Sequence, residues 1–453
     1  MIQYIRIKNF GPIKDEVELS FEASLPGELS DDSYSVVMPD GVRILRLAYI
    51  YGANASGKTT VLNALEFLKR LLLSPLYDKS EGLDYEPFLF CAEPKKSHST
   101  IEMAFYVNAV RHIYEVVFNY EAVLDEKLVF FNSAKPTELF SRKTDVDKRL
   151  ATIQFGSRIK VPAKERDRLE SNTLHNNTVL GAFTKTNTDI PELEELNVWL
   201  KTFLLGMISS ATNVVEETAM MIAGNPKANE WMDRFMNKAD QQISGVRAEK
   251  EKSLGKKINM AATTGSEVIE PVIRGVSIKS SLGSSVTGRF LGKMYGGSDG
   301  YEFRRKIEFT HLTEEGEFKL PIQVESAGTQ RYFSLGGPLY SLVHSNAILL
   351  VDELESSLHP DLMKHFLQTF LANAGQSQML VTTHNVALME EIDFIRRDAL
   401  WFSEKKADGS VDLYSAADFD SGVLRKGASL INAYRSGRLG AKPNLGSPFI
   451  AAK

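Results

Sequence analysis

Residues 45–62 read Leu-Arg-Leu-Ala-Tyr-Ile-Tyr-Gly-Ala-Asn-Ala-Ser-Gly-Lys-Thr-Thr-Val-Leu. Leu45 to Tyr51 is a short apolar run of the kind that fills a buried strand. Gly52-Ala53-Asn54-Ala55-Ser56-Gly57-Lys58-Thr59 follows the spacing G-x-x-x-x-G-K-[ST]. Val61, Leu62, Leu65, Leu68 and Leu72 then recur at helical spacing, so Lys58 to about Leu73 reads as a helix that stops near Pro75. Strand, glycine loop and helix in this order make a phosphate cradle. Backbone N–H groups converge on phosphate oxygens, glycines let the chain curl without a Cβ clash, and the helix presents its positive end to the same anion. The expected binding residues are Gly52, Asn54, Ala55, Ser56, Gly57, Lys58, Thr59 and Thr60, with Lys58 on the β- and γ-phosphates of ATP and Thr59 on Mg²⁺.

Two further strand ends carry polar residues suited to the same chemistry. Asp352 and Glu353 follow the apolar run Ala347 to Val351. Ligands of open α/β sheets bind at such carboxyl ends. Asp352 is the expected holder of Mg²⁺, and Glu353 the expected general base for an attacking water. His384 follows the run Met379 to Thr383 and is placed to sense a γ-phosphate. A second anion site is expected at Glu325-Ser326-Ala327-Gly328-Thr329-Gln330-Arg331, which opens a helix running to about His344. Ser326, Gly328 and Thr329 would act there with the helix N-terminus. One nucleotide does not need two cradles in one chain, so this segment is expected to cap the γ-phosphate held by another copy. The bland alternative is an N-capped helix.

The rest of the chain reads as follows. Residues 1–22 predict two short strands around a turn at Gly11-Pro12, and residues 23–42 a loop. Alternation from Thr100 to Tyr106 and from Tyr114 to Phe118 predicts an antiparallel sheet. Residues 160–260 look mainly helical, with one helix opening at Pro191 and another over Ala228 to Asp240. The charged stretch from Arg247 to Lys257 favours a solvated helix over a nucleic-acid face, because Glu249 and Glu251 interleave with its bases. Residues 264–300, rich in Gly and Ser, are expected to be mobile loops, and strand patterning returns at Arg304 to Thr310. From about Pro321 strands alternate with helices, including a helix over Leu362 to Ala372, which argues for parallel strands. The expected division is 1–140, an ATPase lobe with the loop and the antiparallel sheet; 141–300, a mainly helical insertion; and 301–453, a second ATPase lobe.

Composition removes several classes. The net charge of −5 argues against a chain coated in nucleic acid, though it leaves room for a local basic face. Cys91 is the single cysteine, which excludes an internal disulfide and a paired-cysteine zinc hook, and fits a reducing cytoplasm. No signal-peptide core opens the chain, and no apolar run of roughly eighteen residues predicts a membrane span. The Asn176-Asn177-Thr178 sequon is expected to be a chance match.

A phosphate loop near the N-terminus, a long insertion, a signature segment, an Asp-Glu pair and a late His together resemble the ABC-type ATPase head. That head is shared by transporter nucleotide domains, RecF, SMC proteins and the OLD-like nucleases. Ser356-Ser357-Leu358-His359-Pro360 resembles the D-loop of the OLD-like branch, and Ile7 to Ile13 resembles the N-terminal strand and turn of the RecF and SMC group. Arg397 to Phe402 and Tyr434 to Pro443 are similar to the ending of bacterial "AAA family ATPase" chains often encoded in anti-phage loci, the PARIS-type ATPase component among them. The signature segment lacks the Leu-Ser-Gly-Gly-Gln form, as this branch implies. A glutamine switch loop would fall near Phe88 to Pro94. With roughly seventy residues after His384, no added Toprim nuclease domain of OLD type is expected.

The resemblance implies an ABC-type α/β fold: a phosphate loop, a mixed or parallel core sheet, an antiparallel β subdomain and a helical insertion. It implies an ATP-hydrolysing switch that works as a homodimer or higher homo-oligomer around sandwiched ATP and controls a separate effector, a nuclease or toxin. The alternative is a RecF-like or SMC-like DNA-binding ATPase acting in repair, with Arg247, Lys250, Lys252, Lys256 and Lys257 as the candidate basic face. A chain that binds ATP only structurally is a second rival, and an ordinary transporter subunit, for which no coupling-domain features stand out, a third.

Overall fold

A computed structural model of the chain describes residues 1–24, 31–210, 212–250, 305–390, 395–420 and 429–443. The fold divides into two units, the first Met1–Ala211 with Pro338–Lys453 and the second Thr212–Gly337.

The first unit carries two large sheets whose sequences differ as their surroundings differ. The strands of its seven-stranded sheet are β1 (Ile2–Lys8), β2 (Val17–Ser20), β6 (Ser99–Val107), β7 (Val110–Phe118), β8 (Val123–Phe131), β9 (Thr137–Asp145) and β10 (Leu150–Phe155). They run antiparallel in the order β10-β9-β8-β7-β6-β1-β2. Burial alternates along β7 and β10, as expected where one face is packed and the other wet. The six-stranded sheet has the order β11-β15-β16-β5-β17-β18. Its strands are β5 (Leu47–Tyr51), β11 (Leu204–Ile208), β15 (Ile348–Val351), β16 (Gln378–Thr383), β17 (Leu400–Lys405) and β18 (Val411–Ser415). All neighbours are parallel except β17 and β18. Every residue of β5, β15 and β16 is buried, so their unbroken apolar runs reflect cover on both faces. The expected α/β architecture, a parallel core with an antiparallel β subdomain, is present.

The helix Lys58–Leu73 buries Val61, Leu62, Leu65, Leu68 and Leu72 on its apolar stripe and ends at Ser74, before Pro75. Helices Pro191–Phe203, Pro226–Ala239 and Pro360–Asn373 match the sequence reading to within two or three residues. The stretch read as a loop at 23–42 departs from expectation. Ser35–Val37 (β3) pairs with Arg43–Leu45 (β4) as a hairpin, because Val36 and Ile44 find each other across a turn at Asp40-Gly41. The sequon is structural: Asn176 is fully buried and its side-chain amide donates to the carbonyls of Asp78 and Glu81.

The second unit packs helices Val215–Gly224 and Pro226–Ala239 with the three-stranded sheet β12 (Ile243–Lys250), β13 (Arg305–Thr313) and β14 (Gly316–Pro321). The segment opening at Arg247 is therefore not a helix over its described part. Ile243, Val246 and the pairing partner β13 make it a strand, and Arg247 is tied to Asp233 at 2.8 Å. Residues 251–257 and the expected loops at 264–300 lie outside the described residues. The helix Ala327–His344 crosses the division between the units and contains Pro338. Proline has no N–H for the carbonyl four residues back. That carbonyl, of Ser334, instead accepts from the Thr218 hydroxyl at 3.0 Å.

Candidate functional site

Sheet register sets the geometry. Tyr51 at the end of β5 lies opposite Thr383 of β16 and Phe402 of β17, and Val351 lies opposite Val381. The residues just beyond these strand ends, Gly52, Asp352 and His384, therefore emerge at one edge of the core sheet. Asp352, 9% exposed, accepts from the Thr59 hydroxyl at 2.9 and 3.2 Å and from the Thr382 hydroxyl at 2.6 Å. The Thr382 hydroxyl also accepts from the Glu353 backbone N–H at 2.9 Å, so one side chain holds both acids in place.

The loop is shaped to leave its polar groups open. Gly57 has φ +90°, and a Cβ there would lie 2.9 Å from Val411, so both conformation and space require glycine. The helix that follows has neither a side-chain cap nor an acidic residue in its first turn. Its first N–H groups are thus left to an anion. The buried Lys58 ammonium donates to the carbonyls of Gly52 and Ala53, both at 2.9 Å. Burial pulls Lys58 below its ordinary lysine value, and the opposing negative charges are, in order, Glu355, Asp352 and Glu353. The buried Ser56 and Tyr51 hydroxyls have no hydrogen-bond partner among the described residues. Such orphans at a loop mark a place where a polar ligand or water completes the bonding. The Thr59 hydroxyl and the Asp352 carboxylate are hard oxygen donors, the type Mg²⁺ selects. Thr60 is buried under the N-terminal turn, where Gly11 approaches its methyl group.

Glu353 adopts φ +51°, an uncommon conformation for a residue with a side chain, which occurs where surrounding structure over-determines the backbone. His384 is exposed, and Glu355 accepts from both its backbone N–H at 2.9 Å and its ring Nδ1 at 2.6 Å. A cavity of about 990 Å³ opens beside the loop, lined by Gly52, Asn54, His384, Lys405, Tyr434 and Lys442 among others. Ser403 anchors the loop to β17 by donating to the Ser56 carbonyl. The Phe88–Pro94 segment contains no glutamine, and Phe88 N–H donates to the Asn9 side chain.

The loop residues, Asp352, Glu353 and His384 belong to the first unit. Ser326, Gly328 and Thr329 belong to the second. There the Ser326 hydroxyl accepts from the Thr329 N–H at 3.0 Å and lies 2.9 Å from the Thr329 hydroxyl. His311 of β13 holds Glu325 at 2.7 Å just ahead of this turn.

Sequence reasoning missed Thr382, Glu355, Ser403 and His311. Thr382 had a signal, a hydroxyl two residues before His384 within an apolar strand. Glu355 had one too, as the third acid of Asp352-Glu353-Leu354-Glu355. Ser403 had none, because its partner Ser56 is distant in sequence, and His311 had none, because nothing in an alternating strand marks one residue as the partner of Glu325.

Fold and site together define a P-loop protein of the α/β class. The chain belongs to the family described as the AAA ATPase domain, whose model matches residues 1–389. No curated protein sequence matches it. Among solved structures, an SMC head bound to the C-winged helix domain of ScpA aligns over 91% of this chain and 97% of that one, at 12% identity and a TM-score of 0.42. The SMC head domain from Thermotoga maritima aligns over 91% of this chain and 98% of that one, at 12% identity and a TM-score of 0.36. Among the described residues no helix is long and apolar enough to cross a membrane.

Proposed function

We propose that the chain binds ATP with Mg²⁺ and hydrolyses it as a nucleotide-driven switch. The observation that carries this reading is the Thr59–Asp352 hydrogen bond, which joins the loop to the acid pair across 293 residues of sequence. Thr59 and Asp352 are the residues that would hold Mg²⁺, which when bound supplies Lewis-acid charge to phosphate oxygens. Lys58 exchanges its two loop carbonyls for β- and γ-phosphate oxygens. Glu353 orients the attacking water and takes its proton, and His384 contacts the γ-phosphate. Ser326, Gly328 and Thr329 of a second copy cap that phosphate, so two copies close on ATP and reopen after hydrolysis.

The downstream role follows from the resemblance of Arg397–Phe402 and Tyr434–Pro443 to anti-phage ATPases: the switch holds or releases a separate nuclease or toxin in the cytoplasm. The DNA-binding alternative is weakened at Arg247, whose charge Asp233 already neutralises. Glu353→Gln tests the central claim. Phosphate release is expected to fall by about 100-fold or more while ATP affinity is retained. Turnover equal to wild type would overturn the assignment of Glu353 as base.

A further inference from the structure

Glu355 is an acid near the loop to which the proposed chemistry gives no role. It lies two residues past Glu353 in a turn and keeps only 10% of its side chain exposed. Its Oε1 accepts twice from the same residue, from the His384 backbone N–H and from ring Nδ1. A carboxylate only accepts, so Nδ1 carries a hydrogen and Nε2 is the nitrogen left for the cavity that His384 shares with Gly52 and Asn54. The other oxygen, Oε2, is buried with no hydrogen-bond partner among the described residues. A buried, half-satisfied carboxylate is costly to keep in a purely structural turn. Its charge also reaches the loop, being the strongest negative influence on Lys58 and, after burial itself, on the raised phenol of Tyr51.

We propose that Glu355 is the positioning residue for His384, fixing the ring by two hydrogen bonds to one oxygen so that Nε2 addresses the γ-phosphate. This rests on the ATPase reading above and adds a residue to it. Glu353 and Glu355 then divide the work, one acting on water and the other on the histidine that contacts phosphate.

The experiment is a double-mutant cycle with Glu355→Ala, Glu355→Gln, His384→Ala and the Glu355→Ala/His384→Ala pair in the full chain. It measures steady-state phosphate release and equilibrium affinity for a fluorescent ATP analogue, with folding checked by thermal melting. Glu355→Ala is expected to lower kcat by about tenfold or more with affinity changed by less than about threefold. Glu355→Gln keeps an acceptor for both N–H groups and is expected to recover most of the rate. The double variant is expected to be no slower than His384→Ala, since the two residues act as one unit. Additive losses, a Glu355→Gln variant as slow as the alanine, or an unaffected Glu355→Ala would each overturn the inference while leaving Lys58 and Glu353 in place. A folded wild-type chain without turnover would overturn the ATPase reading, and this inference with it.

Discussion

Two helix starts in this molecule are proposed as anion sites, and they are finished to different degrees. At Lys58 the helix opens from a left-handed glycine with no side-chain cap. Around it the chain has gathered a buried ammonium, a threonine bonded to an acid and two orphaned hydroxyls. At Ala327 the first turn already has its cap, because the Ser326 hydroxyl accepts from Thr329 N–H. The Ser326 hydroxyl there is engaged with Thr329, through both the backbone N–H and the side-chain hydroxyl. The first start, as proposed, is a site in its own right. The second is a capped helix terminus that, under the proposed sharing of ATP, acts only when its hydroxyls turn toward a ligand held by another copy. Both are compatible with one nucleotide shared between two copies, with unequal parts.

Lys58→Ala is the largest expected break in this comparison. ATP affinity should fall by about 100-fold or more, because the phosphates lose the ammonium that acts on them together with the positive helix start. Unchanged affinity in equilibrium titration would remove the first site. Ser326→Ala should leave the affinity of a dilute single chain unchanged and lower turnover by about tenfold, with a folding cost of about 1 kcal/mol from the lost cap. A drop in single-chain affinity like that of Lys58→Ala would make the two starts equivalent and sink the sharing model. Thr382→Val should lower kcat by about five- to tenfold, since Asp352 and Glu353 lose their common tie. Full activity would show that the acids hold themselves.

The smallest effect concerns the scaffold behind the first site. Glu126 is buried, bonded to Tyr114 and to the Val179 N–H, and the neighbouring Thr178 bonds the end of helix Lys58–Leu73. Burial pushes Glu126 up to about 7, with Arg142 opposing. The folded chain thus holds this proton more tightly than the unfolded one. The stability it contributes is complete below the ordinary carboxylate value and is lost as pH rises through about 7. Glu126→Gln should flatten that part of a melting-temperature profile between pH 5 and 8 by a few degrees. Parallel wild-type and mutant profiles would show that Glu126 does not titrate there.

Much of the first site was legible because its parts are local. Gly57, Lys58 and Thr59 are neighbours in sequence, and their order specifies a turn and a helix start whatever surrounds them. Asp352 and His384 were legible for a related reason, as polar residues just after unbroken apolar runs. Thr382 and Glu355 were harder. A threonine in a buried strand is ordinary, and a third acid after two others looks solvated. Their roles depend on which strand lies beside which. Arg247 shows the converse. Alternating charges suit a helix face or a strand edge equally, and pairing with β13 decided for the strand.

What the sequence by itself determined is the chemistry on offer: a phosphate loop at Gly52–Thr60, acids at Asp352 and Glu353, a histidine at 384, and a capped helix start at Ser326. What only the tertiary structure decided is which of these meet. The parallel order of β15, β16 and β5 brings three strand ends to one edge, and hydrogen bonds from Thr59, Thr382 and His384 then pair residues far apart in the chain. Sequence periodicity encodes which face of a strand is buried. It does not encode a strand's neighbours, which follow from how the whole set of apolar surfaces packs.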